Sequence, residues 1–475
     1  MSAIKETFKN TSWLFSSQTI TSVFGFAWVF LLTRYLGVSG FGIISFAISF
    51  TTIMSIFIDL GLNIYITRDL SRYPHLSKKY MGNIIPLKIT LSTISFLGTI
   101  IILLIVGYDF LSMKIILLFM IHYIFQSMGS LFNGVFQAFS KTKYQAVGTI
   151  ISSTLVLIGT ILLIFFNLGL VSVAIVYLFG SLITLIYLHL KAKDEIGTIK
   201  IQGNFNFWKK ALVKSIPFGI TGIFTTIYFT IDMVMLSFMV GDVAVGIYSS
   251  AYKVVTVFFT IYAAYNYVVF PLMSKFYINS KDLLKISYEK SLKYLFMMML
   301  PIAIGVSFYS NDIIVLICGD KFILAGTVLK ILIWNVLFVM INGAASSLLN
   351  SSGKEMVVTK INGIACLINI IFNILLIYYL SYIGASIAAV ITGILIFILI
   401  NYVIIKGNYK PSSVLVFDII KISLIGIILS SILFITNLNL LLAIPFTIII
   451  YIAGIYLLNV LDQQDKFILK EILGK

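Results

Sequence analysis

The chain has 475 residues, of which 60% are hydrophobic and only 11% charged, with a formal net charge of +16 and a mean hydropathy of +1.08. Soluble globular domains carry about 25% charged residues, so this composition excludes one and indicates a polytopic membrane protein. Linkers are too short to hold a soluble catalytic domain.

Apolar runs of about 20 residues recur from end to end, enough to cross a hydrocarbon core of about 30 Å at about 1.5 Å per helical residue. The runs are continuous, not alternating in segments of about 10 residues, which points to helices and away from a β-barrel. Fourteen spans are expected, near 11–36, 41–67, 81–107, 113–139, 145–167, 169–190, 215–240, 244–274, 291–309, 323–350, 356–380, 382–405, 413–436 and 438–458. The first is expected to stay in the membrane, because the run after MSAIKETFKN is too long for a leader h-region and has no small-residue cleavage site. Polar linkers are expected at 191–214 and 275–290.

Lys and Arg gather at the N-terminus, in the linkers after even-numbered spans and at the C-terminus, whereas the opposite linkers hold only Arg34, Lys114 and Lys321. By the positive-inside rule both termini face the cytoplasm. The basic charge is then a record of topology, and no nucleic-acid partner is expected.

Several spans carry a polar stripe. Span 2 offers Ser45, Ser49, Thr52, Asp59 and Asn63, and span 4 offers His122, Gln126, Ser130, Asn133 and Gln137. In span 7, Thr221, Thr225, Tyr228 and Asp232 recur at helical spacing, followed in span 8 by Lys253, Thr256, Thr260, Ala264 and Tyr267. Span 10 adds Asn335, Asn342 and Ser346, and span 11 adds Asn362, Cys366, Asn369 and Asn373. The bland reading of a Ser or Asn is interhelical glue, worth about 0.6 to 2 kcal/mol. A charge inside a span costs at least about 2.5 to 3.5 kcal/mol and marks a bundle interior or a watery cavity.

Asp232 and Lys253 lie about 13 and 18 Å from the outer ends of their helices at about 1.5 Å per residue, so an ion pair between them is expected. Lys88, near the inner end of span 3, is expected to snorkel to the interface. Asp59 is expected to take a nearby cation such as Arg68. Arg34, Lys253 and Lys330 are the binding candidates, and their sign suits an anionic passenger.

Enzyme chemistry finds no support in the sequence. Cys318 and Cys366 are far apart, His75, His122 and His189 form no cluster, and no Walker motif is present, so no metal, cofactor or ATP hydrolysis is expected.

Repetition supplies the domain plan. GVSGFGIISFA (37–47) and GDVAVGIYSSA (241–251) share Gly-x4-Gly-Ile-x-Ser-x-Ala, and AFSKTKYQAVGTIISS (138–153) loosely echoes NSSGKEMVVTKINGIA (350–365). Two parallel six-helix lobes, 1–200 and 201–410, are expected around a central cavity, with a helix pair and cytoplasmic tail in 411–475.

TRYLGVSGFGIISFA, SIPFGITGIF, IDMVMLSFMVGDVAVGIYSSAYKV, SNDIIVLICGDKFILAGTVLKIL and LNSSGKEMVVTKINGIACLINIIFNILLI stand in an order and spacing that resemble polysaccharide repeat-unit flippases of the Wzx type. These belong to the multidrug/oligosaccharidyl-lipid/polysaccharide exporter superfamily. The resemblance implies a cytoplasmic-membrane flippase that moves an undecaprenyl-diphosphate-linked oligosaccharide by alternating access, for O-antigen, capsule or exopolysaccharide synthesis. It also implies partnership with a polysaccharide polymerase and a chain-length regulator.

Arg34 matches the Arg of the first motif and is the candidate for the diphosphate, with Lys253 and Lys330 assisting. Asn335, Asn369, Asn373, Tyr228, Tyr267, His122 and Gln126 are candidates for sugar, and Asp232 and Asp59 for ion coupling or a salt bridge. A drug or cation antiporter of the same superfamily would favour an anionic aromatic pocket, against the basic bias. A lipid II flippase would share the architecture and the first-motif Arg but matches less well elsewhere. A membrane glycosyltransferase or polymerase would need an acidic motif on a sizeable outer loop, and the sequence has none.

Overall fold

The computed structural model describes residues 2–407, 409–436, 438–463 and 465, with side chains from Asn10 onward; the basic tail beyond residue 465 lies outside them. The described residues contain helices and no strand: α1 (Ser2–Asp59), α2 (Leu62–Arg72), α3 (Ser77–Val106), α4 (Phe110–Ala138), α5 (Thr142–Phe165), α6 (Leu170–Ile196), α7 (Phe205–Met239), α8 (Asp242–Asn279), α9 (Lys281–Phe308), α10 (Ser310–Cys318), α11 (Ala325–Ser351), α12 (Glu355–Lys406), α13 (Ser413–Thr436) and α14 (Leu440–Leu457). Twelve spans are long and apolar enough to cross a membrane, and only α2 and α10 contribute none. Two of the twelve are broken inside, α1 at Gly37 and α12 at Ser381, so each supplies two passes. That restores the fourteen segments expected from hydropathy. Side chains such as Ile105, Phe165 and Ile435, each 79% exposed, are suited to lipid contact.

Local chemistry sets many of the helix ends. Asp109, Asn204, Ser280 and Asn439 cap α4, α7, α9 and α14 by accepting a hydrogen bond from the backbone N–H three residues on. The expected linker at 275–290 is mostly helix, because α8 runs to Asn279 and Ser280 starts α9 at once. The linker 197–204 is coil and docks on α3. There Pro86 has no N–H to give Gly82, whose carbonyl accepts from the Gln202 N–H at 2.8 Å instead.

The second expected span, 41–67, is shorter than its hydropathy suggested. Helix α1 stops at Asp59, and Leu60 and Gly61 both turn into the left-handed region (φ 44° and 82°) before α2 begins. A Cβ at Gly61 would lie 2.4 Å from the Ser215 carbonyl oxygen and 2.5 Å from the Gly219 nitrogen, so the turn sits directly on the backbone of α7.

The helices pack into two compact units. The first comprises residues 1–253, 317–322 and 362–385, and the second 254–316, 323–361 and 386–475. Thus α7 and the start of α8 pack with the first unit. Its core joins Leu62, Tyr65 and Ile66 of α2 to Met81 and Ile84 of α3 and to Phe132, Val135 and Phe136 of α4. The second unit's core joins Leu300 and Ile304 of α9 to Ile422, Ile425 and Leu429 of α13.

Within the first unit the two copies of the Gly-x4-Gly motif pack reciprocally. A Cβ on Gly42 would lie 1.9 Å from the Asp242 carbonyl oxygen, and one on Gly246 would lie 2.0 Å from the Val38 carbonyl oxygen. Val38 and Asp242 each follow the first glycine of their motif, so equivalent atoms meet on both sides of the contact.

In the second unit an ionic clasp ties the segment after α14 to α9. Lys293 lies 2.7 Å from both Asp418 and Asp465, and Lys290 lies 2.5 Å from Asp462 and from Asp465. Burial by itself would raise the Asp465 carboxyl, but hydrogen bonds from Lys290, Lys293, Tyr294 and the Asp462 N–H outweigh it and hold the group well below the usual carboxylate range. The clasp's contribution is therefore complete above about pH 4, the unfolded carboxylate range, and falls as acid approaches the folded value. Limited proteolysis should find the α14 end protected and flat from pH 5 to 8, and progressively cleaved below about pH 4. Asp465→Asn should weaken protection at pH 7 and remove the acid step.

Candidate functional site

A cavity of about 420 Å³ lies inside the first unit, walled by α1, α2, α4, α5 and α6. Most of its lining residues carry an amide or a hydroxyl, Asn63, Gln126, Ser130, Asn133, Gln145 and Thr149 among them, and His122 and Asp59 stand beside apolar Phe125, Leu185 and Leu188. A second hollow of about 470 Å³ shares Asn63, Ser130, Asn133 and Gln145, and extends it to Thr67, Arg68 and Gln137. The stripes of spans 2 and 4 thus meet on one polar trough. His122 donates its Nδ1 proton to the Tyr177 carbonyl at 3.0 Å, since a carbonyl only accepts, and this fixes the ring against α6.

At one side of this trough sits Lys88, fully buried. Its Nζ lies 2.8 Å from Asp59 Oδ1, and it donates to Asn63 Oδ1 at 3.0 Å and to the Ser127 carbonyl and hydroxyl at 2.9 Å each. Two expectations are corrected here. Lys88 does not snorkel, because its face of α3 packs on α4, and Ser127 of α4 and Asn63 of α2 supply acceptors that lipid lacks. Arg68 does not neutralise Asp59, because its own neighbour Asp69 takes it at 3.1 Å, and the guanidinium lies 4.9 Å from the Phe218 ring centroid.

Asp232 forms a second buried constellation in the same unit. It accepts from the Tyr248 hydroxyl at 2.5 Å and from Asn373 Nδ2 at 2.7 Å, and Asn373 also donates to Asn369 Oδ1 at 3.0 Å. The expected Asp232–Lys253 ion pair is not among the salt bridges of the described residues; the Lys253 ammonium stands 5.8 Å from the Trp28 ring centroid. One turn and a half separates Tyr248 from Lys253 on α8, and Tyr248 is the one that faces α7. Asn369 and Asn373, expected to meet sugar, are fully buried around this carboxylate. Tyr248 was the residue the sequence reading passed over, although it stands inside the repeated glycine motif.

Arg34 is exposed, with its guanidinium carbon 4.2 Å from the Phe30 ring centroid one turn earlier. Its stem approaches the turn at Gly319, where a Cβ would come within 3.8 Å of Arg34 Cγ. Tyr228 is partly buried, beside Phe229.

Lys330, Tyr267 and Asn335 belong to the second unit. Lys330 is exposed, and Tyr267 is 66% exposed. Asn335 is buried where α11 meets α12, its Oδ1 2.6 Å from where a Cβ on Gly393 would stand; Asn342 there donates to the Gly393 carbonyl at 2.9 Å. Asn342 therefore ties α11 to α12.

Comparison with known proteins bears on this architecture. The family model described as polysaccharide biosynthesis protein matches residues 7–277, and the MatE model matches residues 217–375. An uncharacterized membrane protein of Methanocaldococcus jannaschii is 31% identical over 163 residues, covering 34% of this chain and 32% of that protein. A second from the same organism is 25% identical over 414 residues, covering 84% and 98%. Among solved structures, a lipid II flippase, MurJ, in an inward closed conformation is similar over 97% of this chain and 100% of its own, with TM-score 0.76 and 18% identity. An inward-facing multidrug resistance MATE family transporter matches over 82% and 95%, with TM-score 0.65 and 14% identity.

Proposed function

Because the chain belongs to the polysaccharide biosynthesis protein family of the multidrug/oligosaccharidyl-lipid/polysaccharide exporter superfamily, we propose that it flips an undecaprenyl-diphosphate-linked oligosaccharide across the cytoplasmic membrane for surface polysaccharide synthesis. The observation that carries this reading is the amide- and hydroxyl-lined trough inside an otherwise apolar bundle. A diphosphate and a sugar chain cannot cross hydrocarbon unaided, because each unpaired polar group there costs several kcal/mol. The polyprenyl tail can remain in lipid throughout.

In this reading both termini are cytoplasmic, two lobes at 1–200 and 201–410 alternate access, and 411–475 adds a helix pair and tail. Arg34 holds the diphosphate, and Lys253 of the same unit assists; Lys330 of the second unit is a further basic candidate. Asp232, held by Tyr248 and Asn373, is the candidate for ion coupling. No group is assigned to catalysis. A polymerase and a chain-length regulator would act on the delivered repeat unit.

A second reading, a multidrug or cation antiporter, draws on the match at 217–375 and on the buried Asp232 carboxylate. Arg34 separates the two. Arg34→Ala should abolish surface polymer while leaving protein abundance unchanged, since a charge-assisted contact worth about 1.5–3 kcal/mol corresponds to roughly 10- to 150-fold in affinity. Arg34→Lys should restore only part of it, because the bidentate fork is lost. Wild-type polymer in the Ala variant, measured on the cell surface, would remove Arg34 from the mechanism. A gene neighbourhood of glycosyltransferases and a polymerase would favour glycan export over drug efflux.

A further inference from the structure

We propose that the trough of the first unit is the subsite for the uncharged glycan, with specificity set by Gln126, Asn133 and Gln145, and that the diphosphate is held elsewhere. The inference rests on the export reading above and names which part of the passenger this cavity takes.

Charge decides the first half of the argument. One cation lines the trough, Arg68, and a second, Lys88, is buried behind it; each is already matched, Arg68 by Asp69 at 3.1 Å and Lys88 by Asp59 at 2.8 Å. Lys88 also has three further acceptors within 3.0 Å, so its three protons are fully engaged. A diphosphate entering here would bring two or more negative charges with no cation left to meet them. An organic cation would find no surplus carboxylate either, since Asp59 is spent on Lys88.

Hydrogen-bonding capacity decides the second half. Side-chain amides both donate and accept, as sugar hydroxyls do, and Gln126, Asn133 and Gln145 present three of them from the facing helices α4 and α5. Thr149 spends its proton on its own helix, on the Gln145 carbonyl at 2.8 Å, and keeps an accepting lone pair for a ligand. Asn133 Oδ1 is buried and accepts no hydrogen bond among the described residues, although it lines both hollows. An orphaned acceptor of this kind costs about 1–3 kcal/mol, which a ligand hydroxyl would offset. The hollows, about 420 and 470 Å³, lie within the range of about 300–1,000 Å³ usual for small-ligand sites.

The test uses the full chain in nanodiscs and two probes: bare undecaprenyl diphosphate, and the polyprenyl-diphosphate oligosaccharide fraction extracted from cells that lack this transporter. Wild type should bind the glycan-bearing lipid more tightly than the bare one. Gln126→Ala and Asn133→Ala should each weaken only the glycan-bearing lipid, by roughly 5- to 10-fold, as expected for one hydrogen bond of about 1 kcal/mol or slightly more. Arg34→Ala should weaken both probes alike. Thr149→Val, which keeps the side chain's shape, provides the same readout if an amide variant unfolds. Equal affinity of wild type for both probes, or equal loss of both in the amide variants, overturns the glycan subsite and leaves the export reading standing. If wild type binds neither probe, both readings fall.

Discussion

Alanine at Gly42 or at Gly246 should cost about 2–3 kcal/mol of stability, at the upper end for overpacking, because each new methyl meets a backbone carbonyl that cannot rotate away. The gaps, 1.9 Å to the Asp242 oxygen and 2.0 Å to the Val38 oxygen, leave room only for hydrogen. Small residues let helix backbones approach in this way, and in lipid that close packing replaces the hydrophobic drive that water would supply. The control is internal: Gly25 and Gly98 are also helical but would have nothing within 4 Å of an added Cβ, so alanine there should be neutral or slightly stabilising. Thermal unfolding of the four variants in one detergent makes the comparison. If Gly42→Ala melts with wild type while Gly25→Ala falls, the reciprocal contact is not what holds these helices together.

The second large effect concerns the ion pair in the trough. Asp59→Asn should destabilise by about 3–5 kcal/mol, the range for removing one partner of a buried pair. Lys88→Met should cost less, although it breaks the same contact. The asymmetry follows from exposure, because the Lys88 side chain is 0% accessible while Asp59 is 29% accessible and lines the cavity, where water can solvate it. An orphaned lysine has no such recourse. The double variant Asp59→Asn/Lys88→Met should recover most of the loss, since two neutral groups of similar volume owe no desolvation. Equal losses in the two single variants, or no recovery in the double, would show that Lys88 is not isolated from solvent as the geometry implies.

How far these features were legible differs from residue to residue. Hydropathy located every membrane pass, including the breaks at Gly37 and Ser381 that split α1 and α12, because a run of about 20 apolar residues has one stable arrangement in lipid. Periodicity also placed His122, Gln126 and Asp59 on faces that meet the trough. It did not show that span 2 would end at Asp59, since Leu60 and Gly61 are as apolar as their neighbours and the turn exists to seat against α7.

What the amino-acid sequence determined by itself is therefore the membrane-spanning helical class, the passes, the paired glycine motifs and the family. Tertiary structure alone decided the partners: Lys88 for Asp59, Tyr248 and Asn373 for Asp232, Asp69 for Arg68. The reason lies in the solvent. In water, a buried face is apolar and an exposed one polar, so sequence reveals which is which; in a bilayer both the lipid-facing and the helix-facing sides are apolar. Composition then shows that a helix crosses, while its rotation and its neighbours depend on where backbones can approach closely enough for a distant polar group to find its match.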